Sequence, residues 1–379
     1  MQPAARSEAI YLDNAATTAP DPRVIAAVHD ALVQCWGNPS SSHQLGLEAE
    51  RAVRVARERV AARLEVAPER VTFTSGGTEA LALALLGTAR QRPRPGHVLV
   101  SAIEHAAVQR TAEQLRAAGH TVETIPVEHS GCVDPDRLAG LLRADTLLVA
   151  VMHVNNETGM VQPIEAIAER LRRSHPQARL LVDAVQSFGV LPTRLGALGA
   201  HWLALSGHKL HGPKGVGCLV AAPGLALPPL WGGGPQEHGR RPGTENVPGI
   251  VGLGVAAELG KGDPSALERA TDRLVEAVLT ARPGAYAVGD RARRAPHIAA
   301  VALPGLRADT LINRLAELGV YASSQSACRS RGPAVQSHVL AALGVPTGHG
   351  VLRLAPHRWL DDAQLDRACA VLARALREC

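Results

Sequence analysis

Lysine is nearly absent from this 379-residue sequence: Lys209, Lys214 and Lys261 are the only three among 40 basic residues. The formal charge of +5 therefore rests on arginine. Those arginines alternate with acids, as in 51–63 "RAVRVARERVAAR", so they read as solvated helix faces, not as a nucleic-acid stripe. Aromatic residues are equally scarce. Two Phe and three Tyr leave the core to Ala, Leu and Val. The six cysteines contain no C-x-x-C pair, which argues against a structural zinc site or a disulfide scaffold, and no metal is expected. No run approaches the roughly 18 apolar residues of a membrane span, and the N-terminus has no apolar signal region. A soluble, cytoplasmic protein with no nucleic acid or membrane partner is the expectation. The length and a hydrophobic content of 46% allow one large domain and a smaller one.

Short apolar runs alternate with helical patterns between about residues 70 and 220. The runs are 71–74 "VTFT", 97–101 "HVLVS", 121–127 "TVETIPV", 146–152 "TLLVAVM", 179–183 "RLLVD", 201–206 "HWLALS" and 216–221 "VGCLVA". Strands separated by helices predict an α/β fold with a mostly parallel sheet. In such sheets ligands bind beyond the carboxyl ends of the strands. A Gly/Pro-rich stretch fills 222–248, and 250–281 reads as helical. Runs at 297–303, 308–319, 351–355 and 361–377 predict a smaller α+β unit. The division expected is a large domain over 16–258, with 1–15 and 259–379 forming the small one.

The segment 206–215, "SGHKLHGPKG", has the glycine spacing of a phosphate loop, but Pro213 stands where that loop needs lysine, and Gly215 cannot ligate magnesium. A lysine after a strand has another role, as an amine that holds an aldehyde cofactor in a Schiff base. Pyridoxal phosphate is the commonest such cofactor; it needs a carboxylate at its ring nitrogen, a phosphate cradle and a group on its ring face. Asp183 ends the run "RLLVD" and suits the first need, although an Asp there can equally cap the next helix. The glycines of 74–79 "TSGGTE" and the hydroxyl of Thr78 precede a helical run, where unpaired N–H groups attract an anion. Ser206 could add a second hydroxyl. His105, after "HVLVS", is the candidate for the ring face.

The ordered segments "YLDNAATT" (11–18), "GNPSS-x-H" (37–43), "FTSGGTEA" (73–80), "EH-x-AV" (104–108), "MHVNNETG" (152–159), "VDAVQS" (182–187), "SGHKLHGPKGVG" (206–217), "RPGTENVPGIVGLG" (241–254) and "SACRS" (326–330) resemble those of cysteine desulfurases in the class V aminotransferase family. The resemblance runs from about residue 10 to 375. It implies a homodimeric fold-type I pyridoxal-phosphate transferase, with a large domain built on a mostly parallel seven-stranded sheet and a smaller α+β domain. Carried onto this chain, Lys209 would anchor the cofactor, Asp183 would pair with its ring nitrogen, His105 would stack on the ring and Gln186 would bond its phenolic oxygen. Gly77, Thr78, Ser206 and His208 would contact the phosphate, with Thr244 reaching in from the partner subunit. Asn156 and Arg353 would orient L-cysteine. Cys328 would accept its sulfur as a persulfide, releasing alanine, and pass it to an acceptor such as an iron–sulfur scaffold protein.

The residues around Cys328 agree in kind. The stretch 321–337 is small, polar and Gly/Pro-containing, and Arg329 and Arg331 favour a thiolate. Two segments depart from the family pattern: Gln325 in "SSQSAC", and 353–357 "RLAPH". Selenocysteine lyase is the alternative within the same cofactor class. An aminotransferase would leave Cys328 without a task, and a non-enzymatic binding protein would carry no cofactor colour.

Overall fold

The computed structural model describes residues 9–324 and 336–379. Its centre is a seven-stranded sheet in the spatial order Val71–Thr74, Gly217–Ala221, Trp202–Ser206, Arg179–Asp183, Thr146–Met152, His97–Ser101 and Thr121–Ile125. The five strands from Trp202–Ser206 to Thr121–Ile125 pair in parallel. Gly217–Ala221 runs antiparallel to both neighbours, so Val71–Thr74 points the same way as the parallel set. Buried on both faces, the interior strands are continuous apolar runs; all seven residues of Thr146–Met152 are buried. The polar residues that follow the strands are thereby gathered along one edge of the sheet.

Helices cover both faces. Helix Gln44–Leu64 buries Ala49, Val53, Ala56, Val60 and Leu64 along one stripe. It meets helix Val247–Leu259 so closely that a Cβ on Gly254 would lie 2.7 Å from Ala56 Cα. The helical stretch expected over 250–281 is two helices, Val247–Leu259 and Pro264–Ala281. Gly260 ends the first with φ +65, a conformation that favours glycine, and Asp263 caps the second ahead of Pro264. Lys261 sits in the break.

A separate apolar cluster joins Ile10 and Leu12 to residues between 270 and 376. There the strands Ser323–Ser324, Gly350–Leu354, Ala299–Leu303 and Tyr286–Ala287 form an antiparallel sheet, backed by helices Pro264–Ala281, Ala308–Glu317 and Asp362–Glu378. Ile10–Tyr11 pairs with Val320–Tyr321, and Asp13 bridges Ala355. The N-terminal segment thus passes from this apolar cluster across to the carboxyl edge of the large sheet. No described helix is long and apolar enough to cross a membrane.

Candidate active site

Lys209 leaves the strand Trp202–Ser206 on a single 3-10 turn, Gly207–Lys209. Its Nζ donates to the carbonyls of Ala15 and Ala16, each at 2.6 Å. The N-terminal segment is itself pinned to this turn. Thr18 N–H and Oγ1 both donate to His208 O, and His211 N–H donates back to Thr18 Oγ1 at 2.8 Å. His208 is half-buried, and burial and the neighbouring lysines push its imidazole down to about 4, leaving it neutral at pH 7. Lys214 is exposed on the turn before the next strand.

Asp183 ends the adjacent strand and is buried, accepting Val185 N–H at 2.9 Å. Burial raises its carboxyl, while that N–H and the charges of His105 and Lys209 oppose the rise. His105 caps helix Ala106–Ala117, its Nδ1 accepting Ala107 N–H at 3.1 Å. Lys209, Asp183 and His105 therefore interact across three strand ends. Beside them is Glu104, which sequence reasoning missed. Its Oε1 accepts Ser101 Oγ at 2.5 Å and Met152 N–H at 2.6 Å, and Oε2 is buried without a partner. Burial pushes its carboxyl up to about 8. Its signal was its position, one residue before His105 at a strand end.

The glycine loop lies at the same edge. Helix Gly77–Arg90 starts with no side-chain cap, so its first N–H groups have no such partner. A Cβ on Gly77 would stand 2.8 Å from Val185 Cγ2 and 3.5 Å from Ser206 Cβ, which brings the two candidate phosphate contacts side by side. Thr78 is exposed on the first turn. Glu79 braces the loop by accepting Ser75 N–H at 2.7 Å and Arg241 Nε at 2.8 Å. Burial would raise its carboxyl, but the bonds from Arg241 and Ser75 outweigh it and hold the group low.

Arg353 and Asn156 also meet. The Arg353 guanidinium is buried, its Nη1 donating to Asn156 O at 2.9 Å and its Nη2 to Asp13 Oδ1 at 2.7 Å. Its Nε is buried without a partner. Asp13 was not singled out in the sequence, because 340 residues separate it from the arginine it pairs with. In the departing segment, Ala355 and Pro356 are buried, and His357 lies 5.9 Å from the Trp359 ring. Two candidates are not joined to this group: Thr244 is exposed on a loop, and Cys328 lies outside the described residues, as does Gln325.

The donor set fits pyridoxal phosphate. Gln186 Nε2 donates to Ala15 O at 2.9 Å, leaving Oε1 a buried acceptor without a partner beside Lys209's own acceptor. Together with the buried Asp183 carboxylate and the side-chain-free glycine cradle, this suits a phenolic, nitrogen-containing phosphate ester. Among the described residues no cluster of metal-ligating side chains is found. A groove of about 800 Å³ opens at the opposite edge beside Leu180 and His201, where the parallel strands begin, and holds none of these groups.

A parallel sheet with a lysine, an aspartate and a glycine cradle at its carboxyl edge defines a class of carbonyl-chemistry enzymes. The chain belongs to the Aminotransferase class-V family, whose sequence profile matches residues 10–364. It is 41% identical over 369 residues to a cysteine desulfurase of Trichormus azollae, covering 96% of this chain and 92% of the relative. It is 38% identical over 379 residues to cysteine desulfurase IscS of Methanosarcina thermophila, covering 98% and 93%. Among solved structures, a NifS-like protein superposes with a TM-score of 0.91 at 33% identity, covering 98% of this chain and all of that one.

Proposed function

We propose that this enzyme is a cysteine desulfurase that converts L-cysteine to L-alanine and leaves the sulfur as a persulfide on Cys328. The convergence of Lys209, Asp183 and His105 beside the glycine cradle carries the reading. Pyridoxal phosphate, when bound, supplies an electron sink for the substrate's Cα. Lys209 would hold it covalently and Asp183 would keep its ring nitrogen protonated. His105 would cover the ring face, and Gln186 would meet the phenolic oxygen. Gly77, Thr78, Ser206 and His208 would hold the phosphate, together with Thr244 of a second copy.

Arg353 grips the substrate carboxylate with Asn156 beside it, exchanging part of its pairing with Asp13 for a charged fork to the substrate. Released from the cofactor, Lys209 Nζ removes the Cα proton. The Cys328 thiolate attacks the substrate sulfur: the new S–S bond forms as the C–S bond breaks, and the carbon fragment is protonated to alanine. Cysteine and the enzyme thiol thus become alanine and the enzyme persulfide, with no external oxidant. The persulfide passes to a sulfur acceptor, an iron–sulfur scaffold protein or a comparable carrier.

Exposed Ile25, Leu32 and Val33 on helix Pro22–Gln34, Trp36 just beyond it and Leu47 on helix Gln44–Leu64 support a homodimer. The separate apolar cluster that joins Ile10 and Leu12 to 270–376 supports a small domain of 1–15 and 259–379 set against a large one of 16–258. Cys35, Cys132, Cys218, Cys369 and Cys379 are free, which suits a reducing, cytoplasmic setting.

Mass spectrometry after incubation with L-cysteine tests the reading: one added sulfur is expected on the Cys328 peptide, with alanine in solution. Lys209→Ala loses both products and the yellow colour, and Cys328→Ala keeps the colour. Unchanged alanine formation by Cys328→Ala would remove Cys328 from its role.

A further inference from the structure

The mechanism uses one of the three lysines, Lys209; of the other two, Lys214 is exposed and Lys261 is buried behind the site. Its Nζ donates to Gln186 O at 2.5 Å and lies 3.4 Å from His297 Nε2. Both residues are 5% exposed. Among the described residues no carboxylate lies within ion-pair distance of Lys261. The groups that face it are cationic or imidazole: Lys209, His297, His208 and His211; beyond them Arg358 bonds the neighbouring Gly260 carbonyl and is paired with the buried carboxylate of Asp21. A continuous path leads from it to the chemistry. Lys261 bonds the Gln186 backbone, the Gln186 side chain bonds Ala15 O, and Ala15 O also receives Lys209 Nζ.

We propose that Lys261 is a positioning and charge-balancing residue for Lys209: it fixes the Gln186 backbone behind the site, and it takes up a proton from solvent when Lys209 ceases to be an ammonium ion. Two ammonium groups cannot both be accommodated in so dry a place without a carboxylate between them. Burial first, and then the charge of Lys209, push the Lys261 amine down to about 7. While Lys209 is charged, Lys261 is therefore divided between amine and ammonium near neutral pH, and its lone pair can accept from a His297 Nε2–H. Once Lys209 is committed to the cofactor, a step that rests on the proposed function, the repulsion falls and Lys261 binds a proton. Part of the positive charge lost at Lys209 is thereby restored behind the site.

The scarcity of lysine makes this measurable, because the full chain labelled with ¹³Cε-lysine gives only three side-chain signals. Lys214→Met and Lys209→Met assign the exposed and the active-site signals, leaving the third to Lys261 even if Lys261→Met fails to fold. In the cofactor-free protein, Lys261 should titrate near neutrality, and in Lys209→Met its midpoint should rise by about one pH unit, tenfold in proton affinity. With pyridoxal phosphate added to the unsubstituted chain, the same rise is expected. An unchanged midpoint in Lys209→Met, or titration in the ordinary lysine range in both proteins, overturns the proposal. The cofactor-free comparison needs no colour, so a chain that fails to bind pyridoxal phosphate would refute the proposed function and leave this result standing.

Discussion

Replacing Glu237 with alanine should loosen the glycine cradle from a distance. Glu237 belongs to the long loop that also carries Thr244, and its carboxylate reaches back beneath the first strand of the sheet. Arg57 Nη1 and Nη2 meet its two oxygens at 2.8 and 2.7 Å, and Phe73 N–H donates to it at 2.8 Å. Arg57 also donates to Val71 O at 2.7 Å and lies over the Phe73 ring at 4.7 Å. The side chains are only 12% and 2% exposed. Glu237 and His238 both have positive φ, at 49 and 58, a conformation that costs a residue with a side chain on the order of 1 kcal/mol and persists only where contacts enforce it.

Glu237→Ala leaves a buried guanidinium and a buried N–H without their acceptor, for which about 3–5 kcal/mol is expected. Glu237→Gln keeps an oxygen for Phe73 but not the charge, and about 2 kcal/mol is expected. Urea unfolding followed by circular dichroism reads the loss as a lower midpoint at constant slope. Because Phe73 and Thr74 lead directly into the cradle, the alanine variant should also bind pyridoxal phosphate more weakly. A loss below about 1 kcal/mol, the range of exposed pairs, would mean that water already serves these groups and the loop is not anchored here.

Glu104 should make stability depend on pH. Its carboxyl is raised from 4.5 to about 8, so the folded chain holds a proton that the unfolded chain releases, and stability falls as pH rises through that window. Glu104→Gln should match the parent protein at pH 5 and exceed it at pH 9 by several kcal/mol, at about 1.4 kcal/mol per pH unit. Equal pH slopes in urea unfolding would refute this. Gly77→Ala should push Val185 against the cradle, with about a tenfold loss in pyridoxal-phosphate affinity, read by titrating the visible band; unchanged affinity would place the phosphate elsewhere. Arg353→Lys keeps a charge but not the planar fork, so KM for L-cysteine should rise about tenfold while kcat changes less. A fall in kcat alone would argue against carboxylate binding.

Much of this protein was legible along the chain. The seven runs became seven strands, with trimming at their ends; the interior ones were legible because a strand buried on both faces must be apolar throughout, whereas the edge strand Thr121–Ile125 is mostly exposed or half-buried. Lys209 and Asp183 could be found because parallel sheets put their chemistry just beyond strand ends. The break at Gly260–Asp263 was also written in the sequence, as glycine, a capping aspartate and Pro264, yet apolar periodicity on both sides concealed it. Tertiary structure alone decided which groups share an environment. Asp13 holds Arg353, Glu237 holds Arg57 from 180 residues away, and Lys261 stands behind Gln186 from 75 residues away. Local pattern reports propensity and burial over a turn or a strand. A buried charge is defined by the partners it meets, and for these residues those partners are distant along the chain and meet only in the tertiary fold.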